Sequence, residues 1–130
     1  MKFKGRRIYK GKASGEALVT SMNISFFGGV DPDSGIVVEK GHQLEGISIA
    51  NKILVFPTGK GSTVGSYTIK RLKDNGSAPA AIINAECETI TAVGCIIAEI
   101  PCVDQIPLDK LETGQSLLVD GDKAAVEILS

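Results

Sequence analysis

Apolar and polar positions alternate from the first residues, with Phe3, Ile8 and Tyr9 set among Lys2, Lys4, Arg6, Arg7, Lys10 and Lys12. This interleaving predicts an amphipathic first strand whose bases discourage edge-to-edge pairing. A second strand is expected from Gly15 to Ser25. Phe26 to Gly35 then reads as a loop, because Pro32 and its glycine, aspartate and serine neighbours enforce a turn. Ile36 to Val38 predicts a short strand. Ile47 to Phe56, broken by Asn51-Lys52, predicts two more, so the first half is expected to be mostly β.

The pattern changes after residue 65. Ser66 to Asp74 carries Tyr67, Ile69 and Leu72 at helical offsets, and Asn75-Gly76 supplies a stop. Pro79 opens Ala80-Ala81-Ile82-Ile83-Asn84, a run suited to a strand buried on both faces. Glu88 to Ala98 places Ile90, Val93, Ile97 and Ala98 at spacings of three and four, and Ile100 to Val103 reads as the next strand. Strand, helix, strand implies a right-handed parallel crossover. Leu117–Val119 and Ala124–Ile128 flank Asp120-Gly121-Asp122-Lys123, a hairpin signal.

Composition narrows the picture. The 130 residues suit one domain spanning 1–130, and 43% hydrophobic with 22% charged content describes a folded α/β chain. No apolar run is long enough to cross a bilayer, and no signal peptide is evident. Fourteen basic against fifteen acidic residues leave a net charge of −1, which argues against a nucleic-acid partner. Cys87, Cys95 and Cys102 are separated by seven and six residues. That spacing differs from close metal-binding or redox pairs, so buried structural thiols in a reducing, cytoplasmic setting are expected, with no metal held by this chain.

Candidate chemistry concentrates in Pro57-Thr58-Gly59-Lys60-Gly61-Ser62-Thr63-Val64-Gly65-Ser66. The segment follows a strand and runs into a helix, a junction that aims free backbone N–H groups and the positive helix end at one spot. Carboxylate or phosphate suits it; a glycine turn with a Ser/Thr cap is the structural alternative. It is not a Walker A loop, because Leu54 stands where the first glycine is needed and Gly61 follows Lys60. The third glycine of a dinucleotide fingerprint is also misplaced. Ser62, two residues from Lys60, is a candidate nucleophile or base. His42 has no Gly-x-Ser-x-Gly elbow to work with, and its setting is that of a turn. Asp31 and Asp33 lack the later acids of a calcium loop.

Ser25-Phe26-Phe27-Gly28-Gly29-Val30-Asp31-Pro32, His42-Gln43-Leu44-Glu45-Gly46, the Gly59–Ser66 loop and Ala78-Pro79-Ala80-Ala81-Ile82-Ile83 together resemble the small subunit of the aconitase X family. The resemblance spans nearly the whole chain. It implies a swivelling β/β/α barrel-like domain, and a hydro-lyase that removes water from (R)-5-phosphomevalonate to give trans-anhydromevalonate 5-phosphate in an archaeal mevalonate route. It further implies a two-chain complex, inactive as the isolated chain, whose large catalytic subunit carries a 4Fe-4S cluster. In that resemblance Ser62 is the proton acceptor, while Lys60, Gly61, Thr63, Ser66 and His42 are candidate contacts for a small phosphorylated hydroxy acid. The family commonly presents an arginine near the serine, where this chain has Lys60. Alternatives are a small subunit of a cis-3-hydroxy-L-proline dehydratase, a non-catalytic swivelling subunit, and a phosphocarrier-like domain. The last would need a histidine near Glu86–Ala98, where there is none.

Overall fold

The computed structural model describes residues 1–130. Its strands are β1 (Lys2–Lys4), β2 (Arg6–Tyr9), β3 (Lys12–Val19), β4 (Ile53–Phe56), β5 (Ala81–Asn84), β6 (Cys102–Asp104), β7 (Ser116–Asp120) and β8 (Ala125–Ile128). Helical segments are a broken turn α1 (Phe26–Gly29) and the helices α2 (Gly65–Asp74) and α3 (Thr89–Ala98). The eight strands form one sheet in the order β1-β8-β7-β3-β4-β5-β6-β2. The two strands at its ends, β1 and β2, are separated in sequence by Gly5 alone, so the N-terminal segment joins the edges and closes the sheet into a barrel-like wall.

Closure leaves no space at the joining residue. A Cβ on Gly5 would run into the Asp104 carbonyl, and the Gly5 N–H donates to the Ala124 carbonyl at 2.8 Å. Next to it, the Arg6 guanidinium holds the fully buried Asp104 carboxylate, through Nε at 3.0 Å and Nη2 at 2.6 Å. The same contact raises the Arg6 pKa, first by this hydrogen bond and then by the charge of Asp104. Arg6 thereby ties β2 to its neighbour β6, and the single basic first strand expected from the sequence is two, β1 and β2, parted at Gly5 and paired at opposite ends of the sheet order. Strand β3 spans the middle of that order: Lys12–Glu16 pair with β7, and Ala17–Val19 pair in parallel with β4.

Strands β4, β5 and β6 run parallel, connected through α2 and α3 as the strand-helix-strand pattern requires. Side chains of β4 and β5 alternate between two cores, and both faces of these strands are buried. Ile53, Val55, Ala81 and Ile83 point into the barrel with Val103, Leu117, Val119 and Val126. Leu54, Phe56 and Ile82 join Ile69, Leu72, Cys95 and Ala98 under the helices. The β7–β8 hairpin is the one the sequence predicts. No helix is long and apolar enough to cross a membrane.

Between residues 20 and 52 the fold departs from expectation. The strand expected over Gly15–Ser25 begins earlier and stops at Val19. There the Gln43 side chain captures the Thr20 hydroxyl and the Ser21 N–H, turning the chain aside. Ile36–Val38 makes only isolated bridges, to Ser48, Val30 and Glu45. Ile47–Ala50 is not a strand either: the Ile49 N–H bonds the Gly35 carbonyl and Asn51 takes a φ of +62°. Side-chain-to-backbone bonds replace ladder pairing in this segment. Asp31 illustrates it, its carboxylate accepting from the Ser34 hydroxyl and the Asp33 N–H; those bonds hold its pKa below the usual carboxylate value.

The helices also bury faces the spacing does not reveal. In α2, Ile69 and Leu72 are buried, but Tyr67 is exposed. In α3, Thr91, Gly94, Cys95 and Ala98 face the core, leaving Val93 and Ile97 exposed. Gly94 explains the rotation, since its backbone lies against Ile69 and a Cβ there would collide with that side chain. Ile82→Ala and Ile83→Ala, which empty space on opposite faces of β5, should each lower stability by about 2–5 kcal/mol in urea denaturation. Val93→Ala should stay within about 0.5 kcal/mol of wild type.

Candidate active site

The C-terminal ends of parallel strands are where an α/β sheet releases its backbone into loops that carry polar groups. Here β4 ends in the Pro57–Val64 loop, and β5 ends in Asn84 and the segment leading to α3. The two emerge side by side, because the Ala85 and Glu86 N–H groups both donate to the Pro57 carbonyl. The base of the loop is pinned by Ile24, whose N–H reaches the Thr58 carbonyl and whose carbonyl accepts from Lys60.

Behind the loop stands Glu88. Its carboxylate caps α3, accepting from the Ile90 N–H at 2.7 Å and the Thr91 N–H at 2.8 Å. Gly59 packs flush against this cap, and a Cβ there would occupy the same space as the Glu88 carboxylate and the Thr91 hydroxyl. The Thr91 Oγ1 is buried with no hydrogen-bond partner. At the front the chain turns through Gly61, φ +94°, against Ser25, and enters α2.

Ser62 lies exposed at the crest of the loop. Its Oγ accepts a hydrogen bond from the Val64 N–H at 3.1 Å, and its carbonyl accepts from Gly65. The N–H groups of Gly61, Ser62 and Thr63 have no acceptor within the chain. One donor thus meets the hydroxyl and three consecutive free ones lie in the same turn, at the N-terminal end of α2, where negative charge is favoured. The expected Ser/Thr cap is not formed: α2 is entered through Val64 with no side-chain cap bond, and the Ser62 Oγ contact with the Val64 N–H closes a turn just ahead of the helix.

The remaining candidates divide. Lys60 is part of the loop but is already paired, its Nζ 3.0 Å from Glu39 Oε2. With Ser25, Phe27 and Gly61 this pair lines a shallow cleft of about 430 Å³. Thr63 is exposed next to Ser62. Ser66 is not available to a ligand: it is buried and donates to the Ile90 carbonyl at 2.7 Å, tying the start of α2 to α3. His42 is not available either. Nε2 is 3.0 Å from the Asn23 carbonyl and Nδ1 accepts from the Leu44 N–H at 3.0 Å, so both ring nitrogens serve the backbone. The free N–H groups draw Gly61 into the site through its backbone.

Sequence reasoning missed Ser25 as the loop's front wall, Glu39 as the partner of Lys60 and Glu88 as the rear wall. Glu88 carried a readable signal, an acid directly before a helical run. Glu39 carried none, because 21 residues separate it from Lys60.

The expected burial of the thiols holds for Cys95 and Cys102, while Cys87 is half-buried. Widely spaced in sequence, they are gathered by the fold: Cys95 and Cys102 share one core cluster and Cys87 packs against it. They do not fit an iron–sulfur cluster, since no group of three or more His, Cys, Asp or Glu is arranged to hold a metal, and two of the thiols are sealed in the core.

A family model described as the aconitase X swivel domain matches residues 2–128. A phosphomevalonate dehydratase small subunit of Thermococcus kodakarensis is 57% identical over 129 residues, 99% of this chain and 97% of the relative. One of Methanosarcina mazei, with the same name, is 55% identical over 132 residues, 99% of this chain and 92% of the relative. The crystal structure of Thermococcus kodakaraensis aconitase X in its holo-form superposes with a TM-score of 0.98 at 55% identity, covering 100% of this chain and 99% of that one.

Gly59→Ala should push the loop off the Glu88 cap. Overpacking of this kind costs about 1–3 kcal/mol, and urea denaturation should find a loss in that range. An unchanged midpoint would mean that the contact with Glu88 and Thr91 gives way freely.

Proposed function

The chain belongs to the aconitase X swivel-domain family, and from that premise we propose that residues 1–130 act as one swivel domain, the small subunit of a hydro-lyase that dehydrates (R)-5-phosphomevalonate to trans-anhydromevalonate 5-phosphate. The observation that carries the reading is Ser62, an exposed hydroxyl whose oxygen already accepts the Val64 N–H and sits among three unclaimed N–H donors. Relatives of 50–57% identity over nearly the full chain are named for that reaction, which favours phosphomevalonate over a hydroxyproline substrate. A phosphocarrier role has no support, because α3 contains no histidine and His42 is committed to backbone.

A serine hydroxyl is a weak acid, so taking a proton from carbon requires its alkoxide to be stabilised beforehand. The Val64 N–H and the entry end of α2 supply that stabilisation where the charge resides. Ser62 Oγ then removes the proton from the carbon next to the hydroxyl-bearing carbon, and the electron pair left behind forms the double bond as hydroxide departs and takes a proton from solvent to become water, activation of that leaving hydroxyl falling to the partner subunit. The free N–H groups of Gly61 and Thr63 suit a carboxylate or phosphate oxygen of the substrate, and Thr63 adds a hydroxyl. Lys60 contributes a point charge once substrate competes with Glu39 for it.

The other half of the chemistry belongs to the partner. A small subunit implies a large one, and the misfit of the three thiols supports the reading in which a large subunit of aconitase X type carries the 4Fe-4S cluster. Exposed Phe27, Val64 and Tyr67 border the loop and suit contact with that subunit. Three free cysteines are in keeping with a reducing cytoplasm.

In the assembled complex, Ser62→Ala should lower kcat for phosphomevalonate dehydration by about 10²–10⁴-fold, the usual contribution of a general base. Thr63→Ala should act mainly on KM. Ser66→Ala should lower stability by about 1 kcal/mol through its lost bond to Ile90. A Ser62→Ala complex with near-normal kcat would place the base elsewhere.

A further inference from the structure

The three thiols belong to a second constellation, around the start of β6 and the segment that leads into α3. Cys102 opens β6 and Asp104 follows two residues later, so both side chains project to the same face of the strand. The Asp104 carboxylate accepts the Cys87 N–H at 2.8 Å, which seats Cys87 over that face. Cys95 reaches the same place from α3, within the core cluster that holds Cys102. Cys87, seated there, packs against the core cluster that contains both Cys95 and Cys102. Access is unequal, since Cys95 and Cys102 are buried while Cys87 is half-buried.

We propose that Cys87 and Cys102 form an oxidation site, closing to an intramolecular disulfide when the chain meets a low-molecular-weight disulfide. Cys87 is the entry point because it alone is reachable, half-buried where Cys95 and Cys102 are sealed in the core. The Cys87 thiolate attacks one sulfur of the small disulfide and releases one small thiol, leaving a mixed disulfide. The Cys102 sulfur then gives up its proton, attacks Cys87 Sγ and displaces the second small thiol as a thiolate, which takes up a proton. Two protein thiols are oxidised and one small disulfide is reduced to two thiols.

Hydrogen bonds from Cys87 and Cys95, with burial, raise the Cys102 pKa well above the ordinary thiol value. Cys102 is thereby a resolving thiol and not the first to react. The new bond would fasten the residue before Glu88 to β6, so the oxidation state bears on the rear wall of the Gly59 loop. None of this depends on the dehydratase reading.

The test treats the reduced full-length chain with glutathione disulfide, then reads intact mass and non-reduced peptide maps. Wild type should lose two titratable thiols, become lighter by two hydrogen atoms, retain no glutathione and yield a peptide pair joining Cys87 to Cys102. Cys102→Ser should hold one glutathione on Cys87, Cys95→Ser should still form the link, and Cys87→Ser should not react while folded, circular dichroism establishing that each variant is native. A wild-type chain that keeps all three thiols, retains glutathione, links Cys95 or joins only to a second chain would overturn the proposal. Wild type decides the matter alone if a buried substitution fails to fold.

Discussion

Neither face of β4 or β5 meets water. One row of their side chains fills the barrel and the other lies under α2 and α3, so these strands have no surface on which to carry polar chemistry. That constraint sends function to their ends. It also fixes where those ends are, because a one-residue slip in either strand would exchange the two cores. The Pro57–Val64 loop and the Asn84–Glu88 segment leave the sheet at neighbouring points for this reason, and the contact of Gly59 with Glu88 is its local expression.

A loop held in this way suits proton transfer better than a free one. Ile24 pins its base, Glu88 and Thr91 back it, and Ser25 fronts it, while the N–H groups of Gly61, Ser62 and Thr63 remain unclaimed. Donors fixed before substrate arrives need not reorganise when charge develops, which is the source of their value in a transition state. The half-exposed Lys60–Glu39 pair is the adjustable part: solvent-screened and weak, it can exchange partners at little cost.

Much of the fold was legible in the chain wherever one side-chain pattern dominated. The double burial of Ile82 and Ile83 followed from an unbroken apolar run, α2 from its spacing and Asn75-Gly76 stop, and the hairpin from Asp120–Lys123. Residues 20–52 were misread because Gln43, Ser34 and Ser48 bond the backbone there, and apolar runs such as Ile47–Ala50 cannot reveal that competition. The face of α3 was misread because burial followed the smallest residue, Gly94, and not the largest. The loop was found through its glycines and its place between strand and helix. Its walls were not, since Ser25, Glu39 and Glu88 reach it only through tertiary contact.

If Ser62 is the base, an anionic substrate bound with a second subunit meets the free N–H groups of Gly61, Ser62 and Thr63. Residue-resolved amide hydrogen exchange on the two-chain complex, with and without phosphomevalonate, tests it most directly. Substrate should slow exchange at Gly61, Ser62 and Thr63 while leaving β1 and β8, at the far end of the sheet order, unchanged. Substrate-dependent protection elsewhere, with those three amides still exchanging as in the substrate-free complex, would contradict it.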